Sequence, residues 1–122
     1  MKIRIQGNSI RFRLTKSEVE TLAQRGYYQE ETQFGDKIFA YALKADMDVQ
    51  ELSADFTADT ITMYLNKDKS LEWPKNDVVG FSSEVKTSKG NTLSLLLEKD
   101  FVCMDNTAED QSDNYPNPKL LK

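Results

Sequence analysis

The sequence predicts an α+β fold in which two strand–strand–helix–strand–strand units supply eight strands and two helices. The expected sheet is eight-stranded, mainly antiparallel, and strongly curved or closed into a barrel. Three observations carry that prediction. Apolar and polar residues alternate through residues 2–14 around a Gly-Asn pair. A helix-start signature, Thr15-Lys16-Ser17-Glu18, follows at once. A shift of 51 residues then finds the same order again, with Ile3, Ile5, Ile10, Phe12 and Leu14 matched by Ala54, Phe56, Ile61, Met63 and Leu65.

The first unit spans about residues 2–46. Lys2–Gln6 and Ser9–Leu14 place Ile3, Ile5, Ile10, Phe12 and Leu14 on one face, because side chains alternate sides along a strand. Gly7-Asn8 suits a tight II′-type turn, since Gly accepts a positive φ. That turn sets Arg4 opposite Arg11 and Lys2 opposite Arg13. Thr15 and Glu18 form a capping box, with Leu14 and Val19 as its hydrophobic staple. A helix over Lys16–Gln24 follows, burying Val19 and Leu22 and stopping at Gly26. Tyr27–Phe34 and Lys37–Lys44 make a second hairpin around Gly35-Asp36.

The second unit spans about residues 51–100. Asn66 caps a short helix, Lys67–Trp73, which Pro74 ends, and Trp73 anchors that helix to the sheet. Asp77–Thr87 and Asn91–Glu98 form the closing hairpin through Ser88-Lys89-Gly90. The domain is expected to end near residue 104, and residues 105–122 read as an acidic, Pro- and Asn-rich tail, extended or disordered. A tail carrying Asp105, Glu109, Asp110 and Asp113 has the charge to fold over Arg4, Arg11 and Arg13 and block them.

Composition removes several chemistries. The 122 residues contain no histidine and one cysteine, Cys103. Ser-His-Asp triads, Cys-His dyads, histidine metal sites and an intrachain disulfide are therefore excluded. Walker A, GxGxxG and GxSxG patterns do not occur. Apolar runs such as Leu93–Leu97 are too short to cross a bilayer. The start, Met1 to Phe12, shows no apolar h-region, so a cytoplasmic location is expected. A net charge of −4 and a pI near 4.9 argue against nucleic acid, even with Tyr27, Tyr28, Tyr41 and Tyr64 available for stacking. Nothing in the sequence signals an oligomeric state.

The candidate site is the first hairpin. Residues 1–16 hold Lys2, Arg4, Arg11, Arg13 and Lys16 and no acid. Directly opposed like charges cost up to about 1 kcal/mol per pair unless something negative answers them. Lys2, Arg4, Arg11 and Arg13 thus read as an anion-accepting face, for a small anion or an acidic protein segment held by guanidinium forks. Glu30, Glu31, Glu84 or the acidic tail would be internal counter-charges instead. The function expected is a non-catalytic binding module without a cofactor. A structural or assembly role through exposed edge strands is a further class.

The stretches KIRIQGNSIRFRLTKSEV, GDKIFAYAL and EKDFVCMDNTAEDQSDNYPNP resemble a family of small bacterial proteins of unknown function, over most of the chain. In architecture, the doubled unit is similar to the triphosphate-tunnel (CYTH) fold, whose enzymes hold polyphosphate and a divalent metal among Lys, Arg and Glu. The hallmark of that fold is Glu-x-Glu-x-Lys on the first strand; the strand here reads Lys2-Ile3-Arg4-Ile5-Gln6. That resemblance implies, as an alternative function, a metal-dependent triphosphate or phosphate-ester hydrolase. Glu30, Glu84 and Glu98 would then hold Mg²⁺ or Mn²⁺.

Overall fold

A computed structural model describes residues 1–102 and 111–116. The elements run β1 (Lys2–Gln6), β2 (Ser9–Leu14), α1 (Lys16–Arg25), β3 (Tyr27–Phe34), β4 (Lys37–Asp46), β5 (Ser53–Thr57), β6 (Thr60–Asn66), α2 (Lys67–Glu72), a 3₁₀ turn (Trp73–Lys75), β7 (Gly80–Lys86) and β8 (Thr92–Lys99). The expected order of elements is thus present in both halves.

The strands do not join into one sheet. They form two four-stranded mixed sheets, ordered β1-β2-β8-β7 and β3-β4-β6-β5. Each sheet takes one hairpin from each half and joins them through a parallel central pair, β2 with β8 and β4 with β6. Exchanging the halves maps one strand order onto the other. The expected eight-stranded curved sheet or barrel is corrected on this point. No ladder connects the edge strands β1 and β3, or β5 and β7, among the described residues. Side chains bridge those seams instead: Tyr41 donates to the Met1 carbonyl at 3.1 Å, and Ser83 to the Leu52 carbonyl at 2.6 Å.

The inner faces share one core. Phe12 and Leu14 of β2, Leu43 of β4, Met63 and Leu65 of β6, and Leu95 and Leu97 of β8 are fully buried. Each such side chain stabilises the fold by about 1.5–3 kcal/mol relative to an exposed one. Val19 and Leu22 of α1 and Trp73 close this core at the helix end.

Local signals account for the ends of the elements. Glu18 accepts the Thr15 N–H at 2.8 Å, completing the capping box, and Leu14 and Val19 are both buried. Gly26 ends α1 at φ 72°, as expected, and the helix itself runs one residue further than Gln24, to Arg25. Asn66 accepts the Lys69 N–H at 3.3 Å to cap α2. Pro74 does not simply end that helix. It sits inside the 3₁₀ turn, near its start, where a missing N–H costs nothing. This turn seats Trp73, whose ring meets Phe81 at 5.1 Å and whose Nε1 donates to the Val78 carbonyl at 2.8 Å. No helix among the described residues is long and apolar enough to cross a membrane.

Candidate functional site

The tight Gly7-Asn8 turn fixes the geometry of the cationic face. Gly7 has φ +54°, and the ladder pairs Gln6 with Ser9, Ile5 with Ile10, Arg4 with Arg11, Ile3 with Phe12 and Lys2 with Arg13. Phe12 points into the core, so Lys2, Arg4, Arg11 and Arg13 point out of the opposite face. β8 extends both rows. Arg13 lies beside Glu98, and Arg11 beside Leu96. The outer surface therefore reads Lys2–Arg13–Glu98 in one row and Arg4–Arg11–Leu96 in the next.

Part of the charge is answered within the chain. Arg11 binds Glu98 at 3.3 Å, and Lys2 meets the buried carboxylate of Asp100 at 3.2 Å. Arg4 donates to Gln6 at 3.1 Å. Among the described residues, neither Arg4 nor Arg13 has a carboxylate partner. Glu98, an expected metal ligand under the alternative function, stands here as the counter-ion of Arg11.

Glu30 and Glu84 lie elsewhere. Glu30 is on β3 in the second sheet, in contact with the Met1 α-amino group. That amino group also meets Glu18, which accepts from Tyr28 Oη at 3.1 Å. Burial pushes the Glu18 carboxyl up, but the amino group, the Thr15 N–H and Tyr28 together bring it below its ordinary value. Tyr28 is raised, first by burial and then by the charges of Glu18 and Glu30. Glu84 sits on β7 opposite Ser94. Among the described residues, no three Asp, Glu or Cys side chains group to hold a metal. Glu30, Glu84 and Glu98 are thus not brought together.

The acidic segment beyond β8 is placed in part. Asp113 does not reach the arginines; it accepts from Ser17 Oγ at 2.5 Å and Ser17 N–H at 3.3 Å at the start of α1. Asp105, Glu109 and Asp110, the expected domain end at residue 104, and Cys103 lie outside the described residues.

One residue was not foreseen. Lys99 ends β8 and is only 4% exposed. Its Nζ donates to the Asn76 carbonyl at 2.7 Å and lies 4.8 Å from the centre of the Tyr115 ring. Burial lowers its pKa, opposed by the charge of Asp77. The sequence does carry the signal: Leu93, Leu95 and Leu97 alternate inward, and Lys99 is next in that phase.

A family model described as "Family of unknown function (DUF7009)" matches residues 1–119. No curated protein and no solved structure matches the chain.

Proposed function

The chain belongs to this family of unknown function, and we propose that it is a non-catalytic binding module whose outer sheet face accepts an acidic, extended protein segment. The observation that carries this reading is the pair of arginines without carboxylate partners among the described residues, Arg4 and Arg13. They lie in adjacent rows of a surface that also holds Lys2 and Arg11. Opposed guanidinium groups repel each other, and an arriving carboxylate relieves that repulsion. Among the described residues no strand pairs with the outer edge of β1, so that edge presents the backbone of Ile3 and Ile5 beside the same cations. A small anion would use the arginines alone. An extended acidic segment uses both the charge and the edge. The matching order of the two halves supports descent from a duplicated unit, while the cations belong to the first hairpin alone.

The test is fluorescence anisotropy with a labelled oligoglutamate peptide at low salt, with inorganic sulfate as competitor. Arg4→Ala and Arg13→Ala are each expected to weaken peptide binding by about fivefold, the loss of roughly 1 kcal/mol per charge contact. Affinity is expected to fall as salt rises. Peptide binding indifferent to both substitutions would overturn the reading. Sulfate displacing the peptide at equal concentration would reassign the face to small anions.

A further inference from the structure

A cavity of about 330 Å³ opens beside Lys99, walled by Val79, Phe101 and Tyr115, with Asn76 and Asp77 at its polar side. A volume of this order holds a small organic molecule. Among its described lining residues the one buried polar group is the Lys99 ammonium, with three N–H donors. One of these is spent on the Asn76 carbonyl at 2.7 Å. The ring of Trp73 lies 5.9 Å from Nζ and that of Tyr115 4.8 Å, and neither supplies a full counter-charge. Among the described residues no carboxylate is within ion-pair distance of Lys99. Asp77 lines the same cavity and forms no ion pair with Lys99 among the described residues.

A buried charge is costly unless it is paired and hydrogen-bonded. The chain nonetheless places this one at the wall of an apolar cavity, where a leucine would continue the β8 pattern at lower cost. We infer that the cavity is a binding site for a small monocarboxylate with an apolar body. Its carboxylate accepts from the two remaining N–H groups of Lys99, and its body rests on Val79, Phe101 and Tyr115. The charge of Asp77 disfavours a second acidic group on the ligand, which separates monocarboxylates from dicarboxylates and phosphates. The site lies on the inward phase of β8, so it is independent of the arginines on the outer face.

The experiment is titration of the full chain with benzoate, followed by amide chemical shifts, with benzyl alcohol as the uncharged counterpart. Benzoate is expected to bind roughly tenfold more tightly, the scale of one charge-assisted hydrogen-bonded contact. Lys99→Met keeps an apolar chain of similar length and removes the buried charge, so it is expected to fold at least as stably and to lose the preference. Asp77→Asn, at an exposed position, is expected to raise benzoate affinity by about threefold. Arg4→Ala is expected to leave benzoate binding unchanged. Equal binding of benzoate and benzyl alcohol, an absence of shifts at millimolar benzoate, or an unchanged preference in Lys99→Met would each overturn the assignment. Should Lys99→Met fail to fold, the Asp77→Asn result decides: no gain in affinity overturns it.

Discussion

Glu98→Gln separates stability from binding on the cationic face, because one carboxylate serves the first and opposes the second. Glu98 is 3.3 Å from Arg11, and both side chains are 29% exposed. Two unit charges at that distance attract by about 1.3 kcal/mol in bulk water. Side-chain ordering and salt reduce an exposed pair to about 0.2–1 kcal/mol. Removing the charge also leaves Arg4 opposite Arg11 and Lys2 opposite Arg13 with less relief. A total loss of about 1 kcal/mol follows, which lowers the melting temperature by roughly 4 °C in a chain of this size.

Binding is expected to move the other way. Neighbouring strands lie about 4.8 Å apart, so an anion held between β1 and β2 sits about 7 Å from the Glu98 column. Unit charges interact by about 0.6 kcal/mol at that separation in water, and deleting the repulsion raises affinity by about threefold. Paired thermal melts and peptide anisotropy in low salt measure both changes. Near 1 M salt, where the screening length is about 3 Å, the gain in affinity is expected to vanish. Glu98→Gln that binds the acidic peptide no better than the parent at low salt would refute the electrostatic account of this face.

Ala58 has φ +50° and Asp59 φ +58° in the β5–β6 turn, a conformation that costs a residue with a Cβ about 1–2 kcal/mol. Ala58→Gly is therefore expected to stabilise the fold by about 0.5–1 kcal/mol in urea unfolding, after the entropy of glycine is subtracted. At Gly80 an added Cβ would lie 2.3 Å from the Leu97 carbonyl oxygen, so Gly80→Ala must displace β7 from β8 and is expected to cost about 1–3 kcal/mol. Glu18 and Asp113 both titrate below their ordinary values in the folded chain. Their contribution is present above the ordinary carboxylate range and is lost as pH falls through the lowered values, so Glu18→Gln is expected to flatten the acid limb of stability against pH. Tyr115 is pushed up to about 12 by burial and by the charges of Glu20 and Asp113. Stability is expected to decline as pH rises from the ordinary tyrosine value toward 12, a slope that Tyr115→Phe removes.

Much of the local structure was legible in the residues themselves. A hairpin turn, a capping box and a period-two pattern each act over a few neighbouring residues. The register that opposes Arg4 to Arg11 could therefore be written down before any strand was placed, as could the staple of Leu14 on Val19. The buried Trp73 and the inward phase of β8 belong with these. Ala58-Asp59 shows where such reading stops, because neither residue announces the left-handed turn that the strands impose on it.

Strand neighbours are a different matter. Alternation tells which side chains face the core, but any strand of the right phase satisfies it equally, and the choice is made by burying the whole apolar surface at once. That choice joined β2 to β8 and β4 to β6 in parallel, making two sheets around one core instead of one curved sheet. It also brought Glu98 to Arg11 across 87 residues of chain and set Lys99 against Asn76 and Tyr115. Charges distant in sequence acquire partners only after packing has fixed the strand order, which is why the cationic hairpin could be foreseen and its counter-ions could not.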